Sequence, residues 1–240
     1  KDINTYWKDE KTRIYHFIGK DIIYFHFLFW PAMLMATGFN LPYNIPVHGF
    51  LTINNEKMSK SRGTFVTARD YLKKLEPEYL RFYYASNLAN KVQDIDLDTK
   101  DLMNKSNNDL VGNLANFIYR VLRFTNENFE SKLSSPESNP ELSKKIREKT
   151  EKVITAYKEY NFRHAVQGIL EISALGNKYF QDNEPWKLVK NDREKCQGII
   201  TYAANIARIV SILAYPIMPN YSEKVWKQLG LDEQKFSDIY

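Results

Sequence analysis

Apolar residues follow two spacings along this chain, and the change falls near Thr99. Before it they come in short alternating or continuous runs; after it they recur every three or four residues. Polar Lys1 to Arg13 leads into the first run, Ile14 to Asp21, which reads as a strand closed by Gly19. Asp21 then stands where a helix N-cap accepts backbone N–H groups, and the aromatic-rich stretch Ile22 to Met35 reads as the helix that follows. Pro42 and Pro46 bracket a loop, after which Val47 to Ile53 reads as a second buried strand. Thr67 to Leu75 and Pro77 to Leu88 read as short helices, Pro77 suiting a first turn, with Tyr79, Leu80, Phe82, Tyr83 and Leu88 as the apolar stripe. The alternation Asp94-Ile95-Asp96-Leu97-Asp98 reads as a ladder with Ile95 and Leu97 inward.

Beyond Thr99 glycine becomes sparse. Thr99 to Phe129, Pro140 to Tyr160, Phe162 to Gln181, Asp192 to Ala214 and Pro219 to Leu229 read as helices of an antiparallel bundle, with Ser134 to Pro140 the clearest loop. The fold class expected is therefore α/β followed by all-α.

Composition narrows the class of protein. At 240 residues and 43% hydrophobic content the chain can bury real cores in one large or two small domains. Its net charge of +5 is mild beside that of a DNA-coating protein but suits an RNA-binding face, and no DNA partner is expected. A single cysteine, Cys196, excludes an internal disulfide and a cysteine-rich zinc site, as a reducing compartment favours. The longest apolar stretch, Ile206 to Ile217, is interrupted by Arg208 and Pro216 and is too short for a bilayer; with no cationic-then-apolar leader, a soluble cytoplasmic protein without membrane contact is expected.

Four groups of residues could carry chemistry. Lys57-Met58-Ser59-Lys60-Ser61-Arg62-Gly63-Thr64 places three cations, three hydroxyls and a glycine in eight residues after a strand, a composition that can close over a polyphosphate, although a solvated basic turn looks the same. Gly19 and Asp21 lie at the C-terminal edge of a strand in an α/β pattern, where a carboxylate can meet a ribose; a simple helix cap is the alternative for Asp21. Ile22, His26 and Trp30 recur at four-residue spacing and share one helix face. In the bundle, Asn113, Asn116 and Arg120 form a polar stripe opposite Leu114, Phe117, Ile118 and Val121. Trp186, on a turn between helices in Asn183-Glu184-Pro185-Trp186-Lys187, offers a plane on which a splayed base could stack, or plugs a core. The carboxylates of Asp94, Asp96 and Asp98 could suggest a metal site, but the ladder accounts for them, and no metal is expected.

The intact Lys-Met-Ser-Lys-Ser run resembles the second signature of class I aminoacyl-tRNA synthetases, the loop that clamps the ATP phosphates. His16-Phe17-Ile18-Gly19-Lys20-Asp21-Ile22 to Phe25-His26 resembles the glycine-x-aspartate and phenylalanine-histidine segment of the same class, most closely that of the methionyl-tRNA synthetase family. This resemblance covers essentially the whole chain. It implies the C-terminal half of a Rossmann-type nucleotide-binding fold in residues 1–53, a small connector carrying the loop in 54–112, and a helical-bundle anticodon-binding domain in 113–240. By matching positions, Gly19 and Asp21 bind the ATP ribose; Ile22, His26 and Trp30 line the methionine pocket. His48 and the backbone at Leu51, on the Val-His-Gly strand, lie near ATP and adenine, although a structural role fits His48 equally. Lys57, Ser59 and Lys60 hold the ATP phosphates, with Lys60 the catalytic lysine and Lys57 assisting. Asn116 and Arg120 bond base edges of a CAU anticodon and Trp186 stacks on its first base.

What the resemblance further implies is ATP with Mg2+ and methionine as substrates and tRNA(Met), initiator tRNA included, as partner. The family's first signature, a His-x-Gly-His segment, and the connective peptide that bears its zinc are not found in this sequence. The chain thus looks like the C-terminal part of such a ligase, inactive in aminoacylation by itself. Another class I synthetase, or a non-catalytic tRNA-binding or assembly module on the same scaffold, would share most of these features.

Overall fold

A computed structural model describes residues 2–53, 56–58 and 67–239; Ser59, Lys60 and the rest of the lysine-rich loop lie outside the described residues. The chain divides into two compact units, one of Lys1–Phe65 and Ala89–Asp98, the other of Val66–Leu88 and Thr99–Tyr240. This division draws its lines differently from the three segments 1–53, 54–112 and 113–240, because residues 89–98 return to the first unit as a strand.

In the first unit the chain opens on a short helix, α1 (Ile3–Trp7), capped by Asp2, whose carboxylate accepts the Asn4 N–H. The strand expected over residues 14–21 is shorter: Tyr15 bridges to Asn44, and only β1 (Ile18–Gly19) pairs, in parallel, with β2 (Val47–His48). The second expected strand is broken. Its first part belongs to β2, its last to β3 (Leu51–Ile53), which sits between an antiparallel β4 (Glu56–Lys57) and a parallel β5 (Ile95–Leu97). The break occurs at Gly49, where backbone from residues 93 and 94 packs so close that a Cβ would come within 2.3 Å of Gln93. β5 buries Leu97, but Ile95 is no more than half-buried, as is Asp96, so the expected ladder with Ile95 and Leu97 inward holds only at Leu97; Thr52 donates to Asp96 at 2.5 Å.

The helix expected over 22–35 begins with a tight 3-10 turn (Lys20–Ile22), widens into a π-helical turn (Phe25–Phe29) and becomes regular only in α2 (Trp30–Thr37). It is apolar nearly all round. Leu34 and Ile18 are buried, while Phe25, Phe27, Leu28 and Met33 are exposed.

The second unit is helical. α3 (Ala68–Leu72) and α4 (Pro77–Asn87) come first, then a continuous helix over 99–129 that is not uniform: α5 (Thr99–Lys105) and α6 (Asn116–Phe129) are joined by a π-helical stretch, Ser106–Ala115. α7 (Pro140–Lys158), α8 (Phe162–Asp182), α9 (Pro185–Asn191), α10 (Arg193–Ala214) and α11 (Pro219–Gln228) complete it. The starts follow local chemistry. Asn139, Asn161 and Asp192 accept the N–H groups of Leu142, His164 and Lys195 at the heads of α7, α8 and α10. At α11 the cap comes from elsewhere in the chain, Glu78 of α4 accepting the N–H groups of Asn220 and Tyr221.

α10 runs through the middle of the core, with Cys196, Ile200, Ala203, Ala207, Val210 and Leu213 fully buried. The apolar run expected to be too short for a bilayer thus lies, up to Ala214, within a 22-residue helix. Among the described residues it is the one helix long and apolar enough to cross a membrane, and 72% of its most apolar window is buried inside the protein.

Candidate functional site

The first cluster lies at the C-terminal ends of β1 and β2. Their register sets Gly19 opposite His48, and the turn after Gly19 folds the Asp21 carboxylate back onto it. A Cβ on Gly19 would stand 2.6 Å from Asp21 Oδ1 and 3.7 Å from His48 Cε1. Gly19 has an ordinary extended backbone, φ −78°, so glycine is required here for space rather than for conformation. Asp21 is exposed and lies in the first turn of the 3-10 helix, whose N-cap position is held by Gly19, so Asp21 does not itself occupy the N-cap.

His48 Nδ1 lies 2.8 Å from the Gly49 carbonyl. A carbonyl can only accept, so Nδ1 carries the proton and Nε2 of a neutral ring is left as an acceptor. Leu51 follows on β3, paired with Ile95. Lys57 lies in β4, its backbone in register with Thr52. Ser59 and Lys60 fall outside the described residues.

The second cluster lies along the π-helical turn. His26 Nδ1 donates to the Ile22 carbonyl at 3.1 Å, which again leaves Nε2 free. Trp30 packs edge-on against Trp7, with ring centres 5.8 Å apart, and its indole N–H reaches His16 Nε2 at 3.4 Å. His16 lies between the two expected residues, its ring 5.6 Å from that of His26 and 6.5 Å from that of Trp30. Burial, and then the charge of His26, hold the His16 imidazole below its ordinary pKa, in keeping with Nε2 serving as an acceptor. Sequence spacing assigns His16 no role, since its separation from Trp30 spans two elements and carries no periodic signal. An aromatic-walled site of this kind, with His26 Nε2 unspent, suits an apolar side chain with one soft heteroatom.

The third cluster is in the helical unit. Asn116 and Arg120 lie on α6, Asn116 exposed and Arg120 half-buried. Arg120 is braced: its two terminal nitrogens donate at 2.8 Å to Asn177 Oδ1 and Gln181 Oε1 of α8, and its guanidinium lies 4.7 Å from the centre of the Phe180 ring. Trp186 meets the same phenylalanine at 6.3 Å and is 37% exposed, so it packs on one side and keeps surface free on the other. Two expectations change here. Trp186 is not on a turn but in the first turn of α9. Asn113 leaves the polar stripe: its amide donates to the Leu170 carbonyl at 3.1 Å and its Oδ1 is buried without a partner. The cause is the wide turn of the π-helical stretch, which breaks the 100° spacing that would have aligned residue 113 with 116 and 120. Phe180, Asn177 and Gln181 went unread because their spacing in α8 is that of any helix flank.

Among the described residues no three His, Cys, Asp or Glu side chains come together as metal ligands.

Two family descriptions fit the chain. "tRNA synthetases class I (M)" matches residues 1–122 and "Anticodon binding domain of methionyl tRNA ligase" matches residues 131–239. The chain is 41% identical over 240 residues to the methionine–tRNA ligase of Bdellovibrio bacteriovorus, covering all of this chain and 35% of that protein. To that of Vesicomyosocius okutanii it is 40% identical over 241 residues, covering 99% and 44%. The chain therefore spans well under half the length of the curated relatives it matches. Among solved structures, Mycobacterium tuberculosis methionyl-tRNA synthetase in complex with methionyl-adenylate superposes with a TM-score of 0.87 at 27% identity, over 96% of this chain and 47% of that one. The apo form of the same enzyme gives 0.82 at 25% identity, over 96% and 46%.

Proposed function

The chain belongs to the class I (M) tRNA synthetase family, and on that premise we propose that it supplies the nucleotide edge and the anticodon-reading helices of a cytoplasmic methionine–tRNA ligase. The first unit is read as the second half of a Rossmann-type fold and the helices after Thr99 as an antiparallel anticodon-binding bundle, with residues 54–112 as the connector. The observation that carries this assignment is the meeting of Gly19, Asp21 and His48 at the C-terminal ends of two parallel strands, the position at which open α/β sheets bind nucleotides. The exposed Phe25, Phe27, Leu28 and Met33 fit a larger catalytic domain whose remaining layers cover them.

Two steps follow. The methionine carboxylate attacks the α-phosphorus of ATP in line, forming the acyl-phosphate bond as pyrophosphate departs. A hydroxyl of the terminal tRNA ribose then attacks the adenylate carbonyl, and AMP leaves. Gly19 admits the ribose close to the backbone and Asp21 accepts from its hydroxyls. His48 and the backbone at Leu51 face adenine, and Ile22, His26 and Trp30 hold the thioether, excluding polar competitors that would be desolvated without partners.

Negative charge grows on pyrophosphate as it departs. Lys60, with Lys57 and Ser59 beside it, lowers the barrier by meeting those oxygens most strongly at that moment. Mg2+ enters with ATP as part of the substrate.

In the helical unit Trp186 stacks on the first base of a CAU anticodon while Asn116 and Arg120 bond base edges, so that tRNA(Met), initiator tRNA included, is chosen by its anticodon. The test is methionylation of tRNA(Met). The full-length protein carries it out, and the 240-residue chain alone binds a CAU stem-loop without charging. A full-length protein that bound the stem-loop but charged no tRNA would instead be a tRNA-binding module.

A further inference from the structure

Lys20 stands between the two proposed ribose contacts, Gly19 and Asp21, and no step above uses it. Its ammonium lies 2.6 Å from Asp94 Oδ1 and 2.9 Å from Oδ2, and 4.5 Å from the centre of the Phe50 ring. The Asp94 carboxylate also accepts the backbone N–H of Phe50 at 2.7 Å, and the Ile95 N–H donates to the Phe50 carbonyl at 2.9 Å. Behind these bonds the Gln93–Asp94 backbone presses on Gly49 at a distance no Cβ would allow. The bend at Gly49 and Phe50, which separates His48 from Leu51, is thus fastened to residues 93–95, and Lys20 fastens both to the turn that carries Gly19 and Asp21. Besides it, the short pairing of β1 with β2 joins the two halves of the nucleotide edge.

We propose that Lys20 and Asp94 are positioning residues for nucleotide binding: their ion pair, closed over Phe50, sets the distance between the ribose side of the edge at Gly19 and Asp21 and the adenine side at His48 and Leu51. The proposal rests on the nucleotide-binding assignment above. Both side chains are partly exposed, at 32% and 47%, so the pair contributes little to global stability, and its effect is on geometry. Asp94 is held below the usual carboxylate range by Lys20 first and by the Phe50 N–H second, as a carboxylate kept ionised in this clamp should be. Because the ammonium is already committed to Asp94, Lys20 acts through the fold and not on the phosphates.

The experiment is ATP–pyrophosphate exchange by the full-length protein, with KM measured separately for ATP and methionine, in wild type, Lys20→Met, Asp94→Asn, the double variant and Lys20→Arg. Each single variant is expected to raise the KM for ATP roughly tenfold, as loosened positioning does, with the KM for methionine within about twofold. The double variant should lose no more than either single one, since both remove the same contact, and Lys20→Arg should recover most of the loss. Four results overturn the proposal: KM values for ATP that match wild type, losses that add in the double variant, equal rises for both substrates, or a loss in Lys20→Met that Asp94→Asn does not share, which would place the ammonium on the substrate itself. A wild type with no ATP-dependent exchange overturns the functional assignment and the brace together. A normal wild type with unaffected variants overturns the brace alone.

Discussion

The guanidinium of Arg120 lies 4.7 Å from the centre of the Phe180 ring, with Trp186 against the same ring at 6.3 Å. One buried phenylalanine therefore aligns the cation that would bond a base edge with the indole on which the base would stack. The planar fork is already fixed by Asn177 and Gln181, so little side-chain freedom remains to be lost on binding. Trp186→Ala in the 240-residue chain should weaken CAU stem-loop binding by about 1–3 kcal/mol and erase the preference over other anticodons. Fluorescence anisotropy with matched stem-loops reads this directly; retained selectivity would remove Trp186 from the site. Affinity in wild type and variant alike should fall with rising salt, as phosphate contacts release counterions.

Arg120→Lys keeps the charge but loses the two-pronged geometry. It should lower CAU affinity roughly tenfold while leaving binding to an unrelated stem-loop nearly unchanged, because only the bidentate contact carries base information. A uniform loss across all stem-loops would make Arg120 a phosphate contact.

Lys60→Ala in the full-length protein should slow adenylate formation on the order of a hundredfold, about 3 kcal/mol, with methionine affinity little changed. Pre-steady-state adenylate formation and equilibrium methionine binding, measured side by side, separate the two. Equal losses in both would make Lys60 a ground-state binding residue.

His16 ties the first unit to pH. Its folded-state pKa lies below the ordinary 6.5, through burial and then the charge of His26, so between that lowered value and 6.5 the unfolded chain binds more protons than the folded one. Stability from this site is therefore complete above about pH 6.5 and is lost as pH falls through that window. Thermal unfolding followed from pH 8 to pH 5 should show the first unit weakening below pH 6.5, and His16→Gln should flatten the slope. An unchanged slope in the variant would assign the dependence to other groups.

Trp226, 2% exposed, donates its indole N–H to Ser211 Oγ at 2.9 Å, and Ser222 donates to the Ser211 carbonyl at 2.7 Å. Ser211→Ala would leave the indole N–H buried and unpaired, at a cost of about 1–3 kcal/mol. The helical unit should melt several degrees lower, measured by circular dichroism, with stem-loop binding intact below the transition.

How much of this could be read from the sequence differs by element. The long helices after Thr99 were readable because Asn139, Asn161, Asp192 and Pro219 punctuate them locally. Both π-helical stretches escaped, since a wide turn leaves the local propensities unchanged and shows only in what the side chains meet. Hence Asn113 was misplaced while Asn116 and Arg120, three and seven residues further on, were not. The split of residues 47–53 between two sheets depends on backbone 44 residues away pressing on Gly49, and the Lys20–Asp94 pair spans 74 residues. Of the candidate site, the sequence singles out Gly19 and Asp21 by their place at a strand end, and His26 and Trp30 by helical spacing. The residues that hold them or their counterparts in place, His16, Asp94, Asn177, Phe180 and Gln181, are joined to them only through the fold.

The most direct measurement is ATP–pyrophosphate exchange by the full-length protein with each of the twenty amino acids in turn. Exchange supported by methionine alone, and lost in Asp21→Ala, is the predicted result. Exchange driven by leucine, isoleucine, valine or another amino acid in preference to methionine, or no exchange with any, would contradict it.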